Sequence, residues 1–467
     1  MSSKPALILG DRVETFAEFE DRTDRLAVVL EQRGASAGVP VATVLPNGIE
    51  FFETSIAAAK LDAPFLPINW HLKADEIAYI VRDAGVAVVV DGAYEDALAS
   101  VSDAPARDRM AGPSLVFYTS GTTAKPKGIV LEGFNRERMR MGMDGQVALW
   151  GWTADDVHLL CGPAYHAGPC GWTHTALYIG ATSVIMPAWD AREWLRLVHE
   201  HRVTRAFMVP AHFIRLLEVP DEERASYDLS SLRLIVHGAA PCPLPIKRRM
   251  IEWLGPLGCE IHELYGASEG GATKIGPQEW LAKPGSVGKP WPNIEVRVLS
   301  DDGSRLPAGE AGLIYITPMG GRFEYRNDPE KTAEAWRGDA FTVGDIGYLD
   351  DDGYLFITDR KSDMVLWGGV NISPREVEEV LYDHPGVVDC AVFGIPDERS
   401  GERLKAMIEA RGDVSVDDLT VFVQERLADY KVPKDWELVD ELPRDSAGKV
   451  KKRLLRDAHW KDRTTQV

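Results

Sequence analysis

The chain has 467 residues, 45% hydrophobic and 27% charged, with a formal net charge of −20. That length is more than one ordinary core encloses and implies two or more domains, with the composition of a soluble globular protein. The acidic balance argues against non-specific nucleic-acid binding, so an anionic ligand would need a local site of basic and backbone N–H groups.

In chain order, apolar positions Phe16, Phe19, Leu26, Val29 and Leu30 predict an amphipathic helix over 15–33. Thr15 is suited to cap it, with Glu18 as capping-box partner. A strand over 39–45, a helix over 50–61, a strand over 63–69, a helix over 76–85 and a strand over 86–92 follow. Such alternation predicts a parallel sheet covered on both faces. After a polar stretch the α/β pattern resumes from 114 to about 290. Strands at 294–299, 312–317 and 354–359 then come with hairpin signals at Asp302-Gly303 and Asp352-Gly353. A last α+β unit has a helix over 373–384, strands over 387–396 and 404–410, and a helix over 418–430. With a hinge at Asp359 to Asp363, the division is a large domain over 1–361 and a small one over 362–467.

No apolar run reaches the ~18 residues of a membrane span, and the N-terminus is no convincing signal peptide. Cys161, Cys170, Cys242, Cys259 and Cys390 form an odd set with no C-x-x-C pair. That points to a reducing compartment and away from a disulfide framework or a zinc site. The expectation is a cytoplasmic protein.

The strongest local signal is YTSGTTAKPKG over 118–128. A hydrophobic strand, Leu115-Val116-Phe117, runs into it. Thr119, Ser120, Thr122 and Thr123 offer hydroxyls, Gly121 and Gly128 allow close backbone approach, and Lys125 and Lys127 add charge. A bare S-G-T-T reads equally well as a surface turn; the full pattern reads as an anion cradle, though not a Walker A loop.

This segment resembles the phosphate-binding signature of the adenylate-forming superfamily, which comprises acyl-CoA synthetases, the adenylation domains of peptide synthetases, and luciferases. Five further segments agree in order. PAYHAG over 163–168 resembles the aromatic/His segment beside the acyl pocket and gives His166 a gating or orienting role. VHGAAPCP over 236–243 resembles the segment flanking adenine and acyl group, with Gly238 and Ala239 leaving room for a flat ligand. ELYGASEGG over 263–271 matches the aromatic-Gly-x-Ser/Thr-Glu pattern. By resemblance Tyr265, with Gly266 beside it, stacks on adenine, Ser268 contacts the α-phosphate, and Glu269 binds Mg²⁺. The family more often has Thr where Ser268 stands; a hydroxyl is kept.

The longest match is over 342–378. There the resemblance implies that Asp345 accepts from both ribose hydroxyls, that Arg360 holds the ribose or phosphate side, and that Gly368-Gly369 line the channel of the incoming thiol. LPRDSAGKVKKRLLR over 442–456 supplies Lys449 as the mobile catalytic lysine. A surface salt bridge for Asp345 or Arg360, or a solvated basic tail for Lys449, is what each residue would suggest alone.

The resemblance implies an α/β fold: a large N-terminal domain with parallel sheets and a β-rich subdomain, plus a small mobile C-terminal α+β domain. It implies an AMP-forming ligase that adenylates a carboxylic acid with ATP and Mg²⁺ and passes the acyl group to coenzyme A. A carrier-protein thiol or an amine are alternative acceptors, and an inactive acyl-nucleotide-binding regulator is a different class of reading. About eighteen residues follow Lys449, which favours a stand-alone ligase over one fused to a carrier. Trp172, Phe207, Phe213, His166 and His237 are expected to wall the acid pocket and suit an apolar, ring-bearing or fatty acid better than a dicarboxylic one. The sequence leaves a homodimer open.

Overall fold

The computed structural model describes residues 3–92, 94–108, 112–119, 126–131, 135–318, 321–445 and 448–460. The helix Phe16–Gln32 begins where Thr15 and Glu18 close the expected capping box. Its face of Phe16, Phe19, Leu26 and Leu30 packs on the helix Ile49–Lys60. Beside them Phe65–Pro67, Val41–Thr43 and Val88–Val90 form a small parallel sheet in that order. The alternation read between 39 and 92 is thus a βαβαβ unit.

The larger sheet has fifteen strands among the described residues. Its parallel part runs Glu260–Ala267, Leu234–His237, Arg205–Met208, Val157–Leu160 and Thr182–Ile185. These strands are short, nearly continuous buried runs, because helices cover both faces. On one face lie Trp194, Phe213, Met250 and Met208. On the other lie Trp150, Trp152, Trp172, Phe207 and Trp291.

Beyond Glu260–Ala267 the pairing turns antiparallel, through Gly270–Ile275, Ser286–Pro290, Leu355–Arg360 and Asp345–Leu349. Asp352-Gly353 lies in the hairpin joining the last two, as its sequence predicts. Asp302-Gly303 does something smaller. It closes a turn in which Leu299 bridges Arg305, and does not itself join Val296–Leu299 to Gly312–Ile316.

The small C-terminal domain wraps its own five-stranded sheet around Val377, Leu381, Val392 and Ile408. The helix expected over 418–430 ends earlier, at Val416–Gln424, and a 3-10 turn Asp429–Lys431 follows. The early stop lets the chain turn back and bury Val432 in the same core. Several contacts, an Arg215–Glu409 ion pair at 3.2 Å among them, seat this domain on the large one. Ser373 Oγ donates to buried Asp359 at 2.6 Å, Arg375 Nη1 to the Ile357 carbonyl at 2.8 Å, and the Leu244 amide to Glu379 at 3.2 Å.

One buried ion pair frames the strand that leads to the PAYHAG segment. Asp156 is 0% exposed, Arg205 Nε lies 2.8 Å from it, and Thr153 and Thr204 donate to it at 2.8 Å. Removing one partner of such a pair leaves an uncompensated buried charge. Asp156→Ala is expected to lower the unfolding free energy by about 3–5 kcal/mol in urea titration, whereas a loss under about 1 kcal/mol would contradict this role.

Candidate active site

The anion-cradle segment spans the hairpin formed by Phe117–Thr119 and Lys127–Leu131, with Tyr118 opposite Gly128. Ser120, Gly121, Thr122, Thr123 and Lys125 lie outside the described residues. The hairpin is fastened at its base. Tyr118 Oη donates to Asp83 at 2.7 Å, and Asn327 Nδ2 donates to the other oxygen of Asp83 at 2.9 Å. Phe323–Tyr325 adds a third antiparallel strand to Lys127–Leu131. The Lys127 ammonium pairs with Asp328, which also caps the helix Pro329–Ala335.

Asp345 stands opposite Arg360 in antiparallel register. It is 4% exposed, and each carboxylate oxygen takes one donor: Tyr265 Oη at 2.8 Å and Arg360 Nε at 2.9 Å. An ionised carboxylate has about four acceptor positions, so two stay open to further donors such as a vicinal diol. Burial and the Asp345 charge raise the Tyr265 phenol well above its ordinary value, so it remains a donor. Next to this group, Gly238 passes so close to the neighbouring strand that a Cβ would stand 2.6 Å from the Leu264 carbonyl oxygen. Ala239 then adopts φ +70°, a conformation that costs a non-glycine residue strain and clusters at functional sites.

Glu269 follows the strand carrying Tyr265, and Ser268 precedes it directly. Tyr325 Oη donates to Glu269 Oε1 at 2.8 Å. Among the described residues no three His, Cys, Asp or Glu side chains cluster to hold a metal. Mg²⁺ commonly takes one or two carboxylates and completes its shell with phosphate oxygens and water, so Glu269, oriented by Tyr325, fits such an ion.

Lys449 comes from the small domain, yet its ammonium lies within the electrostatic reach of Asp345, Glu269 and Arg360. Burial and then the like charge of Arg360 lower its pKa from the ordinary lysine value, against the opposing carboxylates. The same charge acts on His166, the cap of the helix Ala167–Ile179. Burial holds His166 down to about pKa 4, with Lys449 lowering and Asp445 raising it. The structure thus brings together His166, Glu269, Asp345, Arg360 and Lys449 from distant segments. Gly368-Gly369 lie apart, on an exposed turn at φ +56° and +89° with no neighbour near either Cα hydrogen face.

The expected acid-pocket wall divides. Strand register places Phe207, Val236 and His262 on one face of the sheet and Met208, His237 and Glu263 on the other. Trp172 and Phe207 belong to the aromatic layer, with ring centroids 5.8 Å apart. Phe213 and His237 meet each other at 5.0 Å beneath the sheet, so neither walls that layer. Two-residue alternation along the strand is the reason, and it was readable once the strand bounds were known. Tyr325, Asp328 and Asp83 escaped the sequence reading. The cap signal Asp328-Pro329 was visible, but the partners lie about 56, 201 and 35 residues away from the groups they serve.

Residues 1–112 and 92–320 match the family model described as AMP-binding enzyme, and 376–449 match the AMP-binding enzyme C-terminal domain. The chain is 31% identical to the fatty acid–[acyl-carrier-protein] ligase ScoC of Streptomyces coeruleorubidus, over 99% of this chain and 95% of that protein. It is 33% identical to the long-chain-fatty-acid–CoA ligase FadD13 of Mycobacterium tuberculosis, over 95% and 93%. ATP-bound MatB from Rhodopseudomonas palustris superposes with a TM-score of 0.86 at 29% identity, covering 99% of this chain and 96% of that one.

The buried imidazoles generate a pH dependence. Burial holds His158 and His212 down to about 3 and His174, like His166, to about 4, below the free value of 6.5. The unfolded chain therefore binds more protons below 6.5, and the stability these groups contribute above it is lost as pH falls toward 4. Imidazole resonances of the folded protein at about pH 5.5 should report neutral rings at these four positions; titration at the free value would contradict it.

Proposed function

The chain belongs to the AMP-binding enzyme family, in the acyl-CoA synthetase branch of the adenylate-forming enzymes, and from that premise we propose that it adenylates a carboxylic acid with ATP and transfers the acyl group to coenzyme A. The observation that carries this reading is the meeting of Lys449 and Arg360, two cations from different domains, around Asp345 and Glu269. Such a site suits a nucleotide triphosphate: Asp345 for the ribose hydroxyls, Arg360 and Lys449 for phosphate oxygens.

A carboxylate is a poor electrophile until its oxygen becomes a leaving group. In the first step it attacks the α-phosphorus of ATP, a P–O bond forms, and pyrophosphate departs with the electrons of the broken bond. The protein needs no nucleophile of its own. Lys449 and Arg360 lower the barrier by holding two anions together and meeting the charge that develops on phosphate. Mg²⁺ on Glu269 would further neutralise the phosphate oxygens. Neutral His166, at the start of the helix Ala167–Ile179 that carries Trp172, orients the acid without adding charge. In the second step a thiolate attacks the acyl carbon and AMP leaves.

We take 1–361 and 362–467 as the two bodies, with the small one turning about Asp359–Asp363 between steps. Lys449 then leaves the cleft and Gly368-Gly369, exposed in the present pose, can face it. The aromatic layer of Trp172, Phe207 and Trp291 favours an apolar or ring-bearing acid. Carrier-protein transfer is the second reading, because one relative is named for it.

Pyrophosphate release screened across aryl, alicyclic and straight-chain acids tests the activity, and product analysis with coenzyme A, carrier protein and amines tests the acceptor. No release with any acid would sink the ligase reading. Lys449→Ala is expected to slow adenylation by about 10²–10³-fold while sparing thioester formation from supplied acyl-adenylate. Equal loss of both half-reactions would reject that division of labour. Asp345→Ala should weaken ATP binding by about 10-fold or more, measured by calorimetry; unchanged affinity would remove the ribose assignment.

A further inference from the structure

Lys449 projects from a tight turn, and the turn is held from inside the small domain. Asp445 accepts the Lys449 amide on its side-chain Oδ1 at 2.9 Å and donates its own amide to the Lys449 carbonyl at 2.8 Å. Arg444 bridges Val450 across the base, and the Lys451 amide donates to the Pro443 carbonyl at 2.8 Å. The guanidinium of Arg444 turns inward. Its Nη1 donates to the Gly448 carbonyl at 2.5 Å, one residue before the lysine. Its Nη2 pairs with Asp389, which is 1% exposed. Asp389 is fixed in turn: Tyr382 Oη donates to it at 2.5 Å, and the Cys390 amide at 2.8 Å.

The outer side of the same turn meets the large domain. Gly448 has φ +78°, and a Cβ there would lie 3.1 Å from both Ala211 Cβ and Val209 Cγ2. Gly448 therefore lies close against the end of the strand Arg205–Met208 and the start of the helix Pro210–Glu218, where a side chain would crowd both.

We propose that Asp389 and Arg444 are positioning residues for Lys449: the buried carboxylate holds the guanidinium, the guanidinium holds the Gly448 carbonyl, and the lysine enters the cleft as a preset arm of the small-domain core. This rests on the adenylation role read for Lys449 above. A lysine side chain carries four rotatable bonds, so precision at its ammonium must come from the backbone beneath it. A shift of about 1 Å at a reacting group can cost 10²-fold in rate. A turn anchored only by its own hydrogen bonds would follow solvent fluctuations; one clamped to Asp389 moves with the sheet.

The competing explanation is that the pair merely stabilises the small domain. Exchanging a buried ion pair for uncharged groups is often neutral for stability, so the two explanations separate. In Asp389→Asn/Arg444→Met the asparagine oxygen still accepts from Tyr382 and Cys390, while the clamp on Gly448 is gone. Purified full-length protein would be assayed with decanoate and with phenylacetate for pyrophosphate release, and with the corresponding acyl-adenylates and coenzyme A for thioester formation. The proposal expects adenylation slowed at least about 10-fold, chiefly in kcat, with thioester formation within about twofold of the parent. Arg444→Lys, which keeps a cation against Asp389 but loses the fork, should fall between; it carries the test if the double variant does not fold. Folded variants that adenylate at the parent rate, or lose both half-reactions equally, overturn the proposal. A Lys449→Ala protein that adenylates normally would overturn the reading beneath it instead.

Discussion

The structure depends on holding a lysine ammonium where its charge is least welcome. Burial and the guanidinium of Arg360 both oppose ionisation of Lys449, and the carboxylates of Asp345, Glu269 and Asp445 only partly offset them. In a protein of net charge −20, Arg360 and Lys449 bring two basic groups to one place beside these carboxylates, where they can each meet a phosphate oxygen of the proposed nucleotide. The surrounding parts serve this arrangement: the capped hairpin beneath the anion cradle, the Asp345 pair, and the turn that presents the lysine.

The fold supplies these groups from separate elements and fixes them differently. Asp345 and Arg360 come from one antiparallel hairpin, so their register sets their contact. Glu269 follows the strand that carries Tyr265, and Tyr325 reaches it from a strand bound to the cradle hairpin. Tyr265 with Asp345, and Tyr325 with Glu269, are thereby tied to strands of the large domain, the second pair through the strand beside Lys127–Leu131. Lys449 alone arrives from the other domain, which meets the large one through hydrogen bonds around Asp359, an Arg215–Glu409 ion pair and the approach of Gly448 to Val209 and Ala211. That asymmetry fits the two-step reaction proposed above, in which Lys449 leaves the cleft between the steps.

Much of this was readable in the chain because it is local. Thr15 and Glu18 announce a helix start within four residues, and the strands between 39 and 92 announce themselves by apolar runs. Lys449, Asp345, Arg360 and Glu269 stand in segments whose order and spacing are specific. What escaped is what depends on register or on distance in sequence. Phe213 and His237 are aromatic residues near the right segments, but two-residue alternation turns them to the opposite face from Phe207. Asp83 and Tyr325 belong to no motif; only the folded sheet brings them to Tyr118 and Glu269. The helix ending at Gln424 stops for tertiary reasons, since Val432 must return to the core.

The most direct measurement is the reactivity of one amine. Brief treatment with acetic anhydride, followed by peptide mass spectrometry, reads the exposure of each lysine with and without ATP. The account predicts that Lys449 is protected by ATP while Lys434, remote from the proposed phosphate site, keeps its labelling. Equal modification of Lys449 in both conditions, with ATP shown to be bound, would contradict the claim that this lysine and the nucleotide share a cleft.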